Sequence, residues 1–289
     1  MNYSPKQGVR SHGLPHDPFK SSTVPRPIGW ISTVSKDGKD NLAPYSQYQN
    51  LTWDPPMVMF AANQSVLGDH ERKDTVKNAE ETGWFVWNMA TYDLREAVNL
   101  SSKALPPEED EFEYAGVTKE ACIEAPGYRV KESPVHFECE YVQTIRIPTG
   151  DPVSTVDIVI GRVDQVHIDD KVILDNGKLD IKSIKPIARL GYYDYTVVNE
   201  IFEMKAPSAS KEELAGLEGR NFDNQSDNKK IMNSIIFNTS KLHVEISFDV
   251  FLYFKTGKRY VAIFIILKKN FLEIQIYNTR FIENILILL

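Results

Sequence analysis

Apolar and polar side chains alternate most clearly over 135–141, where Val135, Phe137, Cys139 and Tyr141 are interleaved with His136, Glu138 and Glu140. This period of two predicts a half-buried antiparallel strand. Thr155 to Ile168 predicts a second long strand, with Gly161 as a bulge or a point of close approach. Pro27 to Val34 and Asn41 to Tyr48 read as strands joined by Asp37-Gly38, a hairpin signal. Met57 to Ala62, Trp84 to Asn88 and Ile187 to Leu190 are short apolar runs suited to further strands. Asp74 to Thr82 has the pattern of a helix, with Asp74 as N-cap and Gly83 as its stop. Leu94 to Leu105 keeps helical spacing up to Pro106-Pro107, and the acidic stretch Glu108 to Glu113 reads as a solvated loop. Six or seven strands with two or three inserted helices are too few helices for βαβ alternation, so the expected class is mainly β, an antiparallel barrel.

The ends of the chain differ from this middle. Pro5, Pro15, Pro18 and Pro25 break regular structure in residues 1–24, which predicts an extended arm. All 16 prolines lie at or before Pro207, and from Lys229 onward Ile, Phe, Leu, Lys, Asn and Tyr supply 41 of 61 residues. Those six types are what AT-rich codons encode. Residues 208–289 therefore read as a linker and an atypical tail, either translated non-coding sequence (a gene-model artefact) or a genuine appended β-rich segment. The expected division is an arm at 1–24, a folded domain at 25–207 and this tail.

Charge narrows the partners. Residues 1–207 carry 22 Lys+Arg against 31 Asp+Glu, a balance that argues against a nucleic acid held by phosphate neutralisation. Cys122 and Cys139 have neither CxxC spacing nor a His cluster, so no metal is expected. The first 19 residues lack the apolar run of a signal peptide, and the tail's apolar runs are too short to span a bilayer, so the expectation is a cytoplasmic protein without a membrane anchor.

Arg72, Lys73, Asp74 and Thr75 stand at a helix entrance, where cations and N–H donors suit a phosphate and equally form a solvated charge pair. Asn41 to Ser46, extended to Asn50, offers small residues beside polar ones, fitting either a flat ring with a polar edge or an edge strand and loop. Ser32, Thr33, Asn63 and Ser65 are hydroxyl and amide candidates on neighbouring strands. Trp30 reads as core or as a cofactor contact, core being the commoner case, and His136 and His167 read as surface or hydrogen-bonded structural histidines ahead of an acid/base pair. No convincing Ser-His-Asp or Cys-His set is present, and a GxGxxG motif is absent.

Taken with its order along the chain, the block from Pro25 to Phe60 resembles the flavin reductase-like, FMN-binding split-barrel family, in its flavoredoxin-like branch. So do the Lys73-Asp74-Thr75 triplet with Asn78, the Thr82-Gly83-Trp84-Phe85-Val86-Trp87-Asn88 run, and Pro186 to Tyr193. The resemblance covers roughly Val24 to Pro207. It implies a Greek-key split barrel that holds FMN through Ser32, Thr33, Tyr45, Ser46, Asn50, Asn63, Ser65, Arg72, Lys73, Asp74 and Thr75. Arg189 is expected to balance phosphate or flavin charge and Tyr192 to cover the ring. The family often has a second glycine where Tyr192 stands, and this departure bears on how open the pocket is. The implied activity is hydride transfer from NAD(P)H, lying transiently over FMN in an open groove, on to free flavin, a partner oxygenase or a small acceptor, usually in a homodimer. The flavin does the chemistry, so no catalytic side chain is expected. The alternative is a non-catalytic FMN-binding electron carrier or flavin store.

Overall fold

The structure is a computed structural model that describes residues 1–8, 11–63, 72–106, 108–148, 155–204 and 207, and the backbone of 249–256, 259–268 and 271–279. The chain divides into two units, Met1–Glu203 and Met204–Leu289. In the first unit the order is α1 (Phe19–Ser22), β1 (Arg26–Pro27), β2 (Gly29–Val34), β3 (Asp40–Tyr45), β4 (Tyr48–Trp53) and β5 (Pro56–Asn63). These are followed by α2 (Asp74–Thr82), β6 (Trp84–Asn88), α3 (Arg95–Leu100), α4 (Glu111–Ala115), β7 (Lys119–Ala121) and β8 (Tyr128–Val130). The unit closes with β9 (Val135–Pro148), β10 (Thr155–Ile168), α5 (Ile181–Ile184), β11 (Ile187–Gly191) and β12 (Asp194–Val197).

The main sheet is antiparallel with the order β3-β2-β6-β9-β10-β5-β4. Its two edge strands, β3 and β4, are consecutive in sequence and joined only by Ser46 and Gln47. Two residues reach roughly 10 Å with their flanking bonds, so the edges must curl towards each other. The sheet is therefore a barrel that stays open, or split, along the β3/β4 seam. The chain's mainly β, antiparallel split-barrel class follows from this closure.

Strand alternation then sorts the core into two layers. Ile31, Val58, Phe60, Phe85, Trp87 and Val159 pack together with Val76 of α2. Trp30, one residue from Ile31, joins Leu42, Val98, Phe112 and Val130 in the other layer, its indole N–H donating to Ser101 Oγ at 2.9 Å. Gly161 sits at a register shift between β9 and β10, and a Cβ there would collide with the Phe85 ring. The bulge read from the sequence is therefore a close-approach point as well.

Several expectations are corrected. The first half of β9 is buried on both faces, with His136 and Glu138 as enclosed as Val135 and Cys139. The physical reason is the segment around 123–130, which covers the outer face: Glu138 accepts the backbone N–H groups of Ile123, Glu124 and Ala125 at 2.7–2.8 Å. In α2 the N-cap position is Lys73, whose ammonium side chain cannot accept a hydrogen bond, and Asp74 is the first helical residue. Its carboxylate acts through the positive helix end and not as a cap. Gly83 does end the helix, at φ 80°. The acidic stretch is not all solvated, because Asp110 caps α4 and Glu111 is buried, accepting from Leu42 N–H and Asn41 Nδ2. The proline-broken arm folds its last residues into α1, close against β11, where a Cβ on Gly191 would lie 2.9 Å from Ser21 Cα.

The second unit holds β13 (Asp249–Thr256), β14 (Arg259–Lys268) and β15 (Phe271–Thr279), paired as an antiparallel meander without register shifts. Among the described residues no helix is long and apolar enough to cross a membrane.

Burial gives His136 a measurable role. Its Nε2 bonds the Val130 carbonyl at 2.7 Å, and burial, together with nearby Arg129 and His167, pushes its pKa down to about 4. The folded state binds this proton less readily than the unfolded chain. Its contribution to stability is therefore present above about pH 6.5 and is lost as the pH falls towards 4. Denaturant midpoints at pH 7 and pH 4.5 should differ less for His136→Gln than for the parent protein, and an identical difference would remove this histidine from the acid response.

Candidate functional site

Two clefts open beside the barrel seam, and Pro44 and Tyr45 at the end of β3 line both. The smaller, 160 Å³, lies between β3 (Asn41, Ala43), the start of α2 (Lys73, Asp74, Thr75), residues 101–105 and Glu111. The side chain at the N-cap position, Lys73, makes no capping bond, and the positive end of α2 lines this cleft with Lys73 beside it. The larger, 780 Å³, is walled by Pro44 to Gln47, by Ala61 and Asn63 of β5, by Arg189 and Gly191 to Tyr193, by arm residues including His16, Asp17 and Lys20, and by Arg26 of β1.

A polar network fixes the start of α2 on the β2–β3 hairpin. Thr75 Oγ1 donates to Asn41 Oδ1 at 2.6 Å, Asn41 Nδ2 donates to Glu111 at 3.2 Å, and Asn78 Nδ2 donates to Thr33 Oγ1 at 3.1 Å. Burial raises the Glu111 carboxyl pKa, although the Leu42 N–H and Asn41 Nδ2 donors favour its charged form. The Tyr45 phenol is likewise pushed up by burial and stays protonated.

The residues expected from the sequence fall into groups. Tyr45, Ser46, Asn63, Arg189 and Tyr192 come together around the larger cleft, and Tyr45, Lys73, Asp74 and Thr75 around the smaller. Others are not brought there. Ser32 is fully buried, its hydroxyl donating to Tyr128 O at 2.8 Å and accepting from Asn88 Nδ2 at 3.1 Å. Thr33, one residue on, is buried in the network above and lines neither cleft. Asn50 is exposed on β4, opposite Val58, and also lines neither. Arg72 is held by a bidentate pair to Glu80 at 2.5 and 2.6 Å and by Asp157 at 3.0 Å. That guanidinium stabilises the buried Asp157 carboxylate jointly with Arg146, and it is a fold contact in this structure. Ser65 lies outside the described residues.

Tyr192 has φ 51°, a left-handed conformation that glycine adopts without cost. This explains why a glycine suits the position, and the tyrosine here packs edge-on against His16 of the arm, ring centroids 5.3 Å apart. Sequence reasoning missed His16, Asp17, Lys20, Arg26 and Gln47. No periodicity marks an arm interrupted by prolines, and Gln47 falls inside the run Asn41 to Tyr48 that reads as one strand, whereas the structure breaks it at Ser46 and Gln47.

The residues present fit a flavin mononucleotide. The smaller cleft offers a cation and helix-end donors for a phosphate, and the larger offers flat, small walls in Pro44 and Ala61 with the polar Ser46 and Asn63 for a ring and its edge.

Comparison with known proteins gives three kinds of match. The profile of the family described as "flavin reductase like domain" matches residues 21–194. An uncharacterized protein of Aquifex aeolicus is 36% identical over 172 residues, covering 59% of this chain and 84% of that protein. The crystal structure of nitrilotriacetate monooxygenase component B from Bacillus cereus superposes with a TM-score of 0.64 at 28% identity, covering 71% of this chain and 98% of that one. A structure with a split barrel domain from Shewanella frigidimarina, 22% identical, matches with a TM-score of 0.60 over 71% of this chain and 99% of its own.

Proposed function

Because this chain belongs to the flavin reductase-like domain family, we propose that it is an FMN-dependent oxidoreductase that accepts reducing equivalents from NAD(P)H and passes them to free flavin, a partner oxygenase or a small acceptor. The observation that carries this reading is the meeting of two chemically different clefts at Pro44 and Tyr45, one suited to a phosphate and one to a ring. When bound, FMN supplies the hydride chemistry, which no side chain of the chain needs to perform. Lys73 and the first N–H groups of α2 would hold the phosphate. Thr75, fixed by Asn41, keeps that helix end in place. Ser46 and Asn63 would meet the polar edge of the ring, and Tyr192 with His16 would restrict water at the mouth of the larger cleft. Resemblance to an oxygenase component at 28% identity supports a partner oxygenase as one acceptor.

The Tyr192 ring, standing where a glycine would leave more room, favours the second reading of an electron carrier without its own nicotinamide turnover. Anaerobic stopped-flow mixing of the FMN-loaded full chain with NADH and with NADPH separates the two. Rapid bleaching of the flavin's blue absorption is the expected result. A flavin that stays oxidised with both nucleotides, yet is reduced by dithionite, would leave only the carrier.

A further inference from the structure

We propose that Lys20, together with Arg26 and Arg189, forms an anion subsite in the larger cleft for the phosphate groups of the nucleotide that delivers the electrons. This rests on the functional reading above and extends it to how the second substrate is recognised. Arg26 and Arg189 are direct cross-strand partners in the β1–β11 ladder. Like charges in that register repel, so the pair calls for a counter-charge. Among the described residues none is supplied: the acceptors of Arg26 Nη1 are the carbonyls of Lys20, Thr23 and Leu190, and that of Arg189 Nη2 is the carbonyl of Tyr192, groups with no net charge. Arg26 Nε is buried without a hydrogen-bond partner.

Elsewhere in this acidic unit the pattern is the reverse, with Arg72, Arg129, Arg146, Arg162 and Lys119 each paired to a carboxylate. Lys20 is exposed, makes no ion pair among the described residues and reaches the same cleft from the arm. Among the described residues the single carboxylate lining the cleft, Asp17, accepts the Phe19 N–H at 2.9 Å. Three cations against one carboxylate give the cleft a positive surplus in a unit of opposite sign, which attracts and orients an anionic ligand. Since the smaller cleft accounts for the phosphate of FMN, the surplus is left for a second phosphate-bearing molecule.

The test is calorimetric titration of the oxidised, FMN-loaded full chain with two redox-inert probes, 5′-ADP and 2′,5′-ADP. Lys20→Ala should weaken nucleotide binding about tenfold and Lys20→Glu further, while Lys20→Arg restores it to within about twofold. FMN affinity should not move, nor should nucleotide binding in Lys171→Glu, a charge-matched change at an exposed site. Loss confined to 2′,5′-ADP would assign Lys20 to a 2′-phosphate, and equal loss for both probes to the 5′-phosphate that they share. Either supports the subsite. Unchanged nucleotide affinity in Lys20→Glu, absence of binding in the parent protein, or a parallel loss of FMN affinity would overturn it. If the chain takes up no FMN, the functional reading fails, and the same titrations on the flavin-free protein still decide the subsite.

Discussion

Lys73→Ala is expected to lower the affinity for FMN about ten- to a hundredfold and to leave the affinity for riboflavin within about twofold. The two ligands differ only in the phosphate, and a charge-assisted contact to it is worth about 1.5–3 kcal/mol. The Lys73 side chain makes no capping bond at the N-cap position, so Lys73→Ala removes no helix cap. Thr75 is a less clean probe, because Thr75→Val also removes the donor to Asn41 and exposes the network that fixes α2. Fluorescence titration of the flavin-free full chain with both ligands gives the comparison directly. Equal losses for FMN and riboflavin would move the phosphate away from the smaller cleft.

The largest effect on stability is expected at Glu138. Its carboxylate is fully buried, accepts three backbone N–H groups and receives His167 Nε2 at 2.6 Å. Burial opposes its charge, yet these donors hold its pKa below the usual carboxylate range. Glu138→Ala leaves several buried donors without an acceptor at once. The expected cost is about 3–5 kcal/mol, which corresponds to a fall in Tm of roughly 10 °C for a domain of this size. Glu138→Gln keeps the shape and one acceptor oxygen, and should lie between the two. Because Glu138 lines neither cleft, FMN affinity well below the transition should be unchanged. A Tm shift under about 2 °C for the alanine variant would show that the 123–125 segment is not pinned by this carboxylate.

Much of the barrel was legible because its strands carry local signals. The Asp37-Gly38 turn gives the β2–β3 hairpin, the apolar run at Met57 to Ala62 gives β5, and Gly161 marks where β10 meets Phe85. The site was legible in blocks but not in direction. Ser32 and Thr33 share one strand and one chemistry, and only the pleat decides that one hydroxyl meets Tyr128 O while the other meets Asn78. Arg72 and Lys73 are adjacent cations, and only the fold brings Asp157, 85 residues away, to the first of them. His136 and Glu138 fall on the polar face of the alternation, which cannot reveal that a loop covers that face. The arm carries no period at all, and its place at the larger cleft depends on the bare backbone of Gly191.

The strand order also sets a sequence of events during synthesis. Among the described ladders, β2, β3 and β6 connect to β4 and β5 only through the β9–β10 hairpin. Residues 29–63 therefore leave the ribosome as two separate hairpins whose shared partner does not yet exist. The walls near Pro44 and Tyr45 reach their final places only once residue 168 has emerged, and β11 completes the larger cleft later still. A cofactor arriving earlier meets half a site, so vectorial folding couples ligand uptake to near-completion of this unit.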